Sequence, residues 1–321
     1  MQLQKVLSKV FEQEVGKVIV VANAVSKETH QLLTDLIKYY DGKLKAVTAN
    51  ENIGSAGGYS LGISTAIKEA YDYLWLLDDD NLPQKNSLSS LLEAYSIHAH
   101  EIKKEELVLQ SFRESLPEML DLVDKKNLNT LPRPASFIGF HIRNLWDSGS
   151  KLFIKFQKGH PVSNYRHKFI RLHTAPYGGL FFHKNAIKKM GLPNALFFLY
   201  ADDFAYTLNF TLKGGTLLLV PGSRIIDLEP VWNATGKKTS NLYRRLKVLP
   251  ASKTYYEVRN RIYVGRMLFP GHPVMYFINK WLYIILLGAF SLYYSCWERF
   301  KLILNAINDG ENGRLGKREF G

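Results

Sequence analysis

The sequence predicts an α/β protein with a doubly wound, Rossmann-like and mostly parallel sheet, flanked by helices and followed by a C-terminal helical region. Three observations support this fold class. Apolar runs alternate with helical patterns at short intervals, two of these runs end in adjacent carboxylates, and glycines stand where a strand meets a helix. We therefore expect one large domain at residues 1–235 and a basic, apolar helical region at residues 236–321.

The first hundred residues contain the alternation that supports this prediction. The patterns predict strands at residues 17–22 and 43–48 and an apolar strand that begins at Tyr73. They predict helices at residues 2–12, from about 27 to 40, from the glycines to about 71, and near 86–98, with Ser26 as the N-cap of the second. Short connections between such elements are typical of a parallel sheet with crossover helices.

The apolar run beginning at Tyr73 leads directly into Asp78, Asp79 and Asp80. A continuous apolar run predicts a strand buried on both faces, and ligands of open α/β sheets bind at the carboxyl ends of strands. In an extended chain Asp78 and Asp80 would share one side, where two hard oxygen donors suit a divalent cation that also holds a diphosphate. The alternative is a solvated acidic loop in which Asp80 caps the next helix.

Glycines follow the second strand, in the segment Gly54-Ser-Ala-Gly57-Gly58. Glycines at a helix N-terminus allow the backbone to approach a phosphate or ribose closely. The alternative is a turn followed by close helix–strand packing. The segment is neither a dinucleotide fingerprint nor a Gly-Lys-Ser/Thr loop, which argues against a dinucleotide enzyme and a nucleoside triphosphatase.

A second apolar run, beginning at Leu196, ends in Asp202 and Asp203. Adjacent carboxylates that enter a helix are typical of a cap and a first-turn charge. Alternatively, one of them is a general base beside a sugar hydroxyl. The pattern by itself leaves both interpretations open.

The charge of the chain is concentrated near its C-terminus. Of a formal net charge of +13, residues 237–321 contribute +10, from 15 Lys and Arg against 5 Asp and Glu. No helix-turn-helix, zinc-finger or RNA-recognition signature accompanies this charge, so we expect no nucleic-acid partner. A single cysteine and an N-terminus without the apolar core of a secretion signal predict a cytoplasmic protein.

The most apolar run of the chain, residues 281–296, lies in the same basic segment. Its 16 residues are fewer than the ~20 needed to cross a bilayer. Basic residues beside an apolar helix rich in Tyr and Trp fit a helix that lies on an anionic membrane surface. A buried helix of a C-terminal bundle is the alternative, and only burial distinguishes the two.

Several segments in the same order resemble family 2 glycosyltransferases with the GT-A fold, in particular the rhamnosyl- and galactofuranosyltransferase branch. The segments are residues 18–26, 52–58, 75–80, 177–179, 198–203, 255–260 and 306–314. The resemblance implies that Asp78 and Asp80 bind the metal, and that Asp203 is the catalytic base while Asp202 orients the acceptor. It places the donor nucleotide and diphosphate at Asn23, Asn52, Gly54, Gly57, Gly58, Asp78 and Asp79.

The implied activity is that of an inverting, metal-dependent hexosyltransferase. The implied donor is a UDP- or dTDP-linked sugar, the cation is Mn²⁺ or Mg²⁺, and the acceptor is a glycan or lipid-linked glycan at the inner face of the plasma membrane. A homo-oligomer is left open. One alternative is a catalytically impaired scaffold derived from a transferase. The other is a nucleotidyltransferase, which would need a glycine- and lysine-rich signature at the N-terminus that this sequence does not contain.

The sequence departs from the family pattern in four places. The family's opening strand has no counterpart, because Met1 already lies in what resembles the first helix. We therefore expect an incomplete start that lacks about 10–15 residues. Ala22 replaces an Asp that contacts the base. Glu229, three residues before Trp232, replaces a His and becomes the third candidate metal ligand, with Asp227 as its alternative. Ala205 replaces an acidic residue that serves acceptor contacts.

Overall fold

A computed structural model describes residues 2–116, 119–120, 122–123, 135–143, 169–228, 240–268 and 273–320. The chain divides into two compact units. The first comprises Met1–Thr130, His160–Ala195 and Asp203–Thr235, and the second comprises Leu131–Gly159, Leu196–Asp202 and Gly236–Gly321. The second unit therefore includes two segments that precede residue 236 in the sequence.

The first unit alternates strands and helices, as the sequence predicts. Its helices are α1 (Gln2–Phe11), α2 (Lys27–Tyr39), α3 (Gly54–Ala66), α4 (Ser87–His98), α5 (Ile187–Met190) and, beginning at the unit boundary, α6 (Asp202–Leu212). Its strands are β1 (Val18–Asn23), β2 (Leu44–Ala49), β3 (Tyr73–Trp75), β4 (Asn81–Pro83), β5 (Leu107–Arg113), β6 (Ile170–Leu172), β7 (Leu180–His183) and β8 (Thr216–Asp227). The hydroxyl of Ser26 accepts a hydrogen bond from the Thr29 N–H, which confirms the predicted N-cap of α2.

The described residues of this unit form two sheets. Strands β1 and β2 pair in parallel, and a second sheet has the order β3-β7-β5-β8-β4, with β6 also paired to β8. The α/β class is confirmed, but within the larger sheet only the pairing of β5 with β8 is parallel. The expectation of a mostly parallel sheet is therefore wrong for the described strands. Strands β4, β6 and β7 are only three or four residues long, and β4 and β7 each follow the preceding strand without a crossover helix.

The strand before the acidic triplet also differs from its prediction. Strand β3 ends at Trp75, and Tyr73 is 40% exposed, so the strand is not buried on both faces. Its pairing continues for one residue, because the Leu76 N–H donates to the Leu180 carbonyl at 2.8 Å. The chain then leaves the sheet before it reaches Asp78. The core of the unit lies instead around β5, whose seven residues are all buried.

The second unit is helical where it is described. Its long helices are α7 (Ala251–Leu268), α8 (Pro273–Tyr293) and α9 (Trp297–Glu311), and a short turn at Asn241–Tyr243 continues as a π-helix at Arg244–Val248. Helix α8 has 21 residues, because it begins eight residues before the apolar run that we expected to form it. It is therefore long and apolar enough to cross a membrane, although only 22% of its most apolar window is buried. The apolar run of 16 residues therefore underestimates the length of the helix.

Candidate active site

The acidic triplet lies in a turn between β3 and β4. The N–H of Asn81 donates to the carbonyl of Asp78 at 3.2 Å, which closes the turn around Asp79 and Asp80. The prediction that Asp78 and Asp80 share one side of an extended chain is therefore wrong, because the chain is not extended here. The capping alternative for Asp80 is also wrong, since the N-cap of α4 is Asn86.

Arg113 links two carboxylates at the carboxyl ends of the strands. It is the last residue of β5, and its guanidinium donates to Asp227 Oδ1 at 2.7 Å and to Asp78 Oδ2 at 3.3 Å. Burial alone would lower the pKa of Arg113, but the charges of Asp227 and Asp78 outweigh burial and raise it. An internal cation therefore neutralises part of the acidic turn.

Asn81 connects the remaining carboxylates to this network. It is fully buried, and its amide donates to Asp227 Oδ1 at 2.8 Å and to Asp80 Oδ1 at 3.1 Å. Its carbonyl oxygen accepts the N–H of Asp78 at 3.0 Å. The hydroxyl of Ser115 donates to the second oxygen of Asp227. Each polar group of Asn81 therefore holds a different part of the acidic turn in place.

Tyr59, one turn into α3, contacts the same site. Its hydroxyl donates to Asp78 Oδ1 at 2.5 Å, and its ring stacks on Tyr177 with 4.2 Å between ring centroids. Burial and the charge of Asp78 raise the pKa of Tyr59 well above its ordinary value, so it remains a donor. Both oxygens of Asp78 are thus engaged by protein groups, and the side chain is still 36% exposed.

Gly178 is required by the close packing of this network. A Cβ at this position would lie 2.1 Å from Asn81 Oδ1, 2.6 Å from Asp78 Oδ2 and 2.8 Å from Arg113 NH1. No side chain fits at these distances without moving the network. Gly178, in the segment 177–179, therefore belongs to the acidic site, which the sequence did not indicate.

The carboxylates of this site fit a cation by their charge and chemistry. Burial, followed by the charges of Asp78 and Asp227, raises the pKa of Asp80 to about 6. Burial is the larger cause, and the repulsion from the neighbouring carboxylates is the part that a bound cation would relieve. Among the described residues no group of three or more His, Cys, Asp or Glu side chains could hold a metal ion. Glu229, the third predicted ligand, lies outside the described residues.

The glycine-rich segment begins α3 and is tied to β1 by two asparagines. Asn23 Oδ1 accepts the N–H of Ile53 at 2.9 Å, and Asn52 Oδ1 accepts the N–H of Gly54 at 2.9 Å. Gly54 has a φ of +70°, which an L side chain rarely adopts. The structure therefore brings Asn23, Asn52 and Gly54 together, as predicted, and gives the asparagines a role in shaping the loop.

Gly57 and Gly58 differ in the space around them. A Cβ on Gly57 would lie 2.9 Å from the Cβ of Ile53, so packing requires this glycine. A Cβ on Gly58 would have only Asn23 Nδ2 within reach, at 4.0 Å. Packing accounts for Gly57, but it does not account for Gly58.

Asp202 and Asp203 begin α6, where the chain passes from the second unit to the first. Asp202 is buried, and Asp203 Oδ1 accepts the N–H of Phe204 at 2.7 Å. Because α6 begins at Asp202, Asp203 lies within its first turn, where a carboxylate agrees with a first-turn charge. Its bond to the next N–H is not an N-cap bond, which would come from the residue before the helix.

Arg113, Tyr59 and Asn81 were not predicted as site residues. Arg113 ends an apolar strand, and strand ends were the positions at which we looked for ligands, but we considered carboxylates only. Tyr59 follows the glycines directly, and Asn81 follows the acidic triplet. The available signal for Tyr59 and Asn81 was therefore a position next to a motif, and the signal for Arg113 was a position at the end of a strand.

Comparisons with known proteins bear on the fold. Residues 2–102 match the sequence model of Glycosyl transferase family 2. A search of curated proteins found no match. The crystal structure of GalNAc-T7 with UDP, GalNAc and Mn²⁺ aligns over 81% of this chain and 45% of its own, with 14% identity and a TM-score of 0.52. The crystal structure of S. aureus TarS 1–349 aligns over 97% of this chain and 88% of its own, with 11% identity and a TM-score of 0.48.

The chain therefore spans less than half the length of GalNAc-T7, and at this identity the likeness shows the fold. The alternation of strands and helices around a mixed sheet agrees with that likeness. The protein has the GT-A glycosyltransferase fold, and about the first third of its chain matches glycosyl transferase family 2.

Proposed function

We propose that this protein is an inverting, metal-dependent glycosyltransferase. It moves a hexose, galactofuranose or rhamnose, from a UDP- or dTDP-linked donor to a lipid-linked or cell-surface polysaccharide. The observation that carries the proposal is the acidic turn at the carboxyl end of β3, on a fold whose N-terminal part matches a glycosyltransferase family. In α/β sheets this edge is where ligands bind.

Asp78 and Asp80 are the residues that would hold the cation, through hard carboxylate oxygens. When bound, such a cation stabilises the negative charge of a diphosphate leaving group. The GalNAc-T7 structure, which contains UDP, GalNAc and Mn²⁺, supports the choice of UDP and Mn²⁺ as first probes. Asn23, Asn52 and the glycines of α3 line the nucleotide in this proposal.

Asp203 acts as the general base in the same proposal. It removes the proton of the acceptor hydroxyl as that oxygen attacks the anomeric carbon, and the nucleoside diphosphate leaves from the opposite face, so the configuration inverts. Asp202 orients the acceptor. The position of Asp203 supports this role, since it lies in the first turn of α6, directly after an apolar run that ends in two carboxylates.

The test replaces Asp203 with Asn, which keeps the shape of the side chain and removes its basicity. We expect the rate of UDP or dTDP release with acceptor to fall by about 10²–10⁴-fold, while donor affinity changes less than about twofold. Asp35→Asn, on the outer face of α2, is the matched control and retains full activity. Transfer that survives Asp203→Asn with donor still bound would reject the assignment of the base.

A catalytically impaired scaffold is the second candidate, and one observation favours it. Both oxygens of Asp78 are engaged by the side chains of Tyr59 and Arg113, so a cation has to compete with internal partners. Calorimetry with UDP-galactofuranose, dTDP-rhamnose and UDP-N-acetylgalactosamine, each with and without Mn²⁺, separates the two candidates. The transferase binds one of these donors more tightly with Mn²⁺, whereas the scaffold binds none.

We further propose that the enzyme works at the cytoplasmic face of the membrane, with α8 against the lipid. One narrow stripe of α8 is buried, at Asn279, Tyr283, Leu287 and Ser291. Apolar residues on another face are exposed by between 39% and 72%: Val274, Ile278, Trp281, Ile285 and Leu292. The net positive charge of residues 237–321 complements anionic headgroups. An apolar face with nearby basic residues is typical of helices that lie in a membrane interface.

A further inference from the structure

The segment Tyr255–Asn260 resembles a family motif, but the proposed chemistry gives it no role. It lies in the middle of α7, and its last two residues, Arg259 and Asn260, are buried. Charged and amide side chains are buried at a cost unless they are fully hydrogen-bonded. Both side chains contact one short loop, residues 197–201, which leads directly into Asp202 and Asp203.

The backbone of this loop is strained. Phe198, Tyr200 and Ala201 have φ angles of +63°, +65° and +57°, in the left-handed region. Residues with a Cβ avoid this region, because there the Cβ comes too close to the following carbonyl oxygen. Three such residues among four would not persist unless surrounding contacts fixed them. Something outside the loop therefore has to hold its carbonyl groups.

Asn260 provides that contact. Its Nδ2 lies within hydrogen-bond distance of three loop carbonyls, at 2.9, 2.8 and 2.8 Å from Phe197, Leu199 and Tyr200. Its Oδ1 accepts the Nε–H of Arg259 at 2.8 Å. Because Arg259 can only donate, the amide orientation is fixed, with the oxygen toward Arg259 and the N–H groups toward the loop.

Arg259 supports this arrangement from the other side. Its guanidinium donates to the carbonyl of Phe197 at 3.0 Å and to that of Gly316 at 2.6 Å. It also lies over the ring of Tyr256, 4.9 Å from the ring centroid. Helix α9 approaches closely here, because Gly310 has no side chain: a Cβ there would lie 2.5 Å from the Arg259 carbonyl. All of these contacts lie within the second compact unit.

We propose that Asn260 is a positioning residue, oriented by Arg259, which holds the strained loop at residues 197–201 and so fixes the start of α6. The inference rests on the proposed function, since the start of α6 carries Asp202 and the base Asp203. The strain of the loop sets the direction in which the chain enters the helix. Without the amide, the loop relaxes to ordinary φ angles and the two carboxylates move.

The first test is Asn260→Asp, which keeps the size of the side chain and replaces the N–H donors with a carboxylate oxygen. We expect amide hydrogen exchange in a peptide spanning residues 197–203 to accelerate at least tenfold. We expect kcat to fall by roughly 10–100-fold, because small displacements of a catalytic group have effects of that size. The KM for the donor should change less than about twofold, since the amide does not contact the donor site.

Asn279→Asp is the matched control. Asn279 is also a fully buried asparagine of the second unit, and it holds a different loop through the Ala135 carbonyl and the Ile142 N–H, each at 2.9 Å. This control reports general destabilisation of the unit. We expect it to leave kcat and the exchange of residues 197–203 within about twofold of the wild-type values.

A second pair of variants covers the case in which Asn260→Asp does not fold. Asn260→Ser retains one hydroxyl donor and adds no charge. Adding Ala201→Gly supplies a residue that adopts positive φ freely. If the amide serves to hold the left-handed loop, the double variant should recover kcat severalfold over Asn260→Ser alone. A structural role elsewhere would not respond to a glycine in the loop.

The outcomes separate this inference from the proposed function. Unchanged exchange of residues 197–203 in the Asn260 variants would reject the loop contact, whether or not the enzyme is active. Faster exchange with unchanged kcat would reject the positioning role and leave the transferase intact. Absence of turnover in the wild-type protein with every donor would reject the proposed function, and the exchange measurement would still test the loop.

Discussion

Gly178→Ala should disrupt the acidic site, although it adds only one methyl group. The new Cβ would lie 2.1 Å from Asn81 Oδ1, so that oxygen has to retreat by roughly 1 Å to reach ordinary contact distance. The shift breaks the bond from Asn81 to Asp227 and the bond that Asn81 accepts from Asp78, now 2.8 and 3.0 Å. The bond to the Asp227 carboxylate contributes about 1.5–3 kcal/mol, the bond from the Asp78 N–H about 0.5–1.5 kcal/mol, and overpacking costs about 1–3 kcal/mol. We expect a loss of about 3–7 kcal/mol.

Urea unfolding followed by circular dichroism measures this loss, and calorimetry with UDP and Mn²⁺ measures its effect on the site. Gly265→Ala is the matched control. Gly265 lies within α7, and a Cβ there meets nothing within 4 Å. The same substitution should stabilise the protein by about 0.5–1 kcal/mol, because alanine favours a helix. Equal effects of the two substitutions, or a loss below about 1 kcal/mol for Gly178→Ala, would refute the packing argument.

Three further predictions concern the donor loop, the cation and the membrane. Gly58→Ala should leave stability unchanged or slightly higher, because the new Cβ has space. The same substitution should weaken UDP binding at least tenfold if the donor approaches the loop. Unchanged binding would favour simple helix–strand packing. Mn²⁺ affinity should rise between pH 5 and pH 7, because Asp80, whose pKa is about 6, has to lose its proton before it binds the cation. The cation-free protein should lose stability as the pH rises from about 4 to 6. The reason is that the folded state keeps this proton to a higher pH than the unfolded chain does. A flat titration would reject Asp80 as a ligand. The double variant Trp281→Glu and Ile285→Glu should reduce sedimentation with phosphatidylserine vesicles more than tenfold. The control Leu212→Glu, at an exposed apolar position of the first unit, should not reduce it. Equal sedimentation of all variants would reject α8 as the lipid contact.

Local patterns predicted the elements whose physics is local. The N-cap at Ser26 and the helix at residues 87–98 follow from hydrogen bonding and periodicity within a few residues. The turn at Asp78–Asp80 was predicted wrongly, because its shape depends on Asn81, which bonds to Asp227 far along the chain. A sequence pattern contains no information about a partner 146 residues away unless the pairing of strands is known.

The pairing of strands was the second feature that local sequence patterns did not predict. Alternating strands and helices predicted parallel neighbours, but β4, β6 and β7 are short and pair antiparallel with the longer strands. The position of Arg113 follows from this arrangement, because β5 and β8 end side by side and bring Arg113 next to Asp227. The sequence therefore predicted the carboxylates of the candidate site but not the guanidinium of Arg113, which binds two of them.

The two acidic segments are held by different physical means, and this difference has a consequence for catalysis. Asp78 lies in a network of charges, in which Arg113 and Tyr59 already occupy its oxygens, so its geometry responds to any added charge. Asp203 follows a strained backbone that Asn260 holds through neutral hydrogen bonds, which salt and bound ions affect little. Under the proposed function, the donor side of the site therefore rearranges when a cation and diphosphate bind, while the proposed base keeps its position. This difference suits a reaction in which the leaving group gains negative charge while the base has to stay at a fixed distance from the attacking hydroxyl.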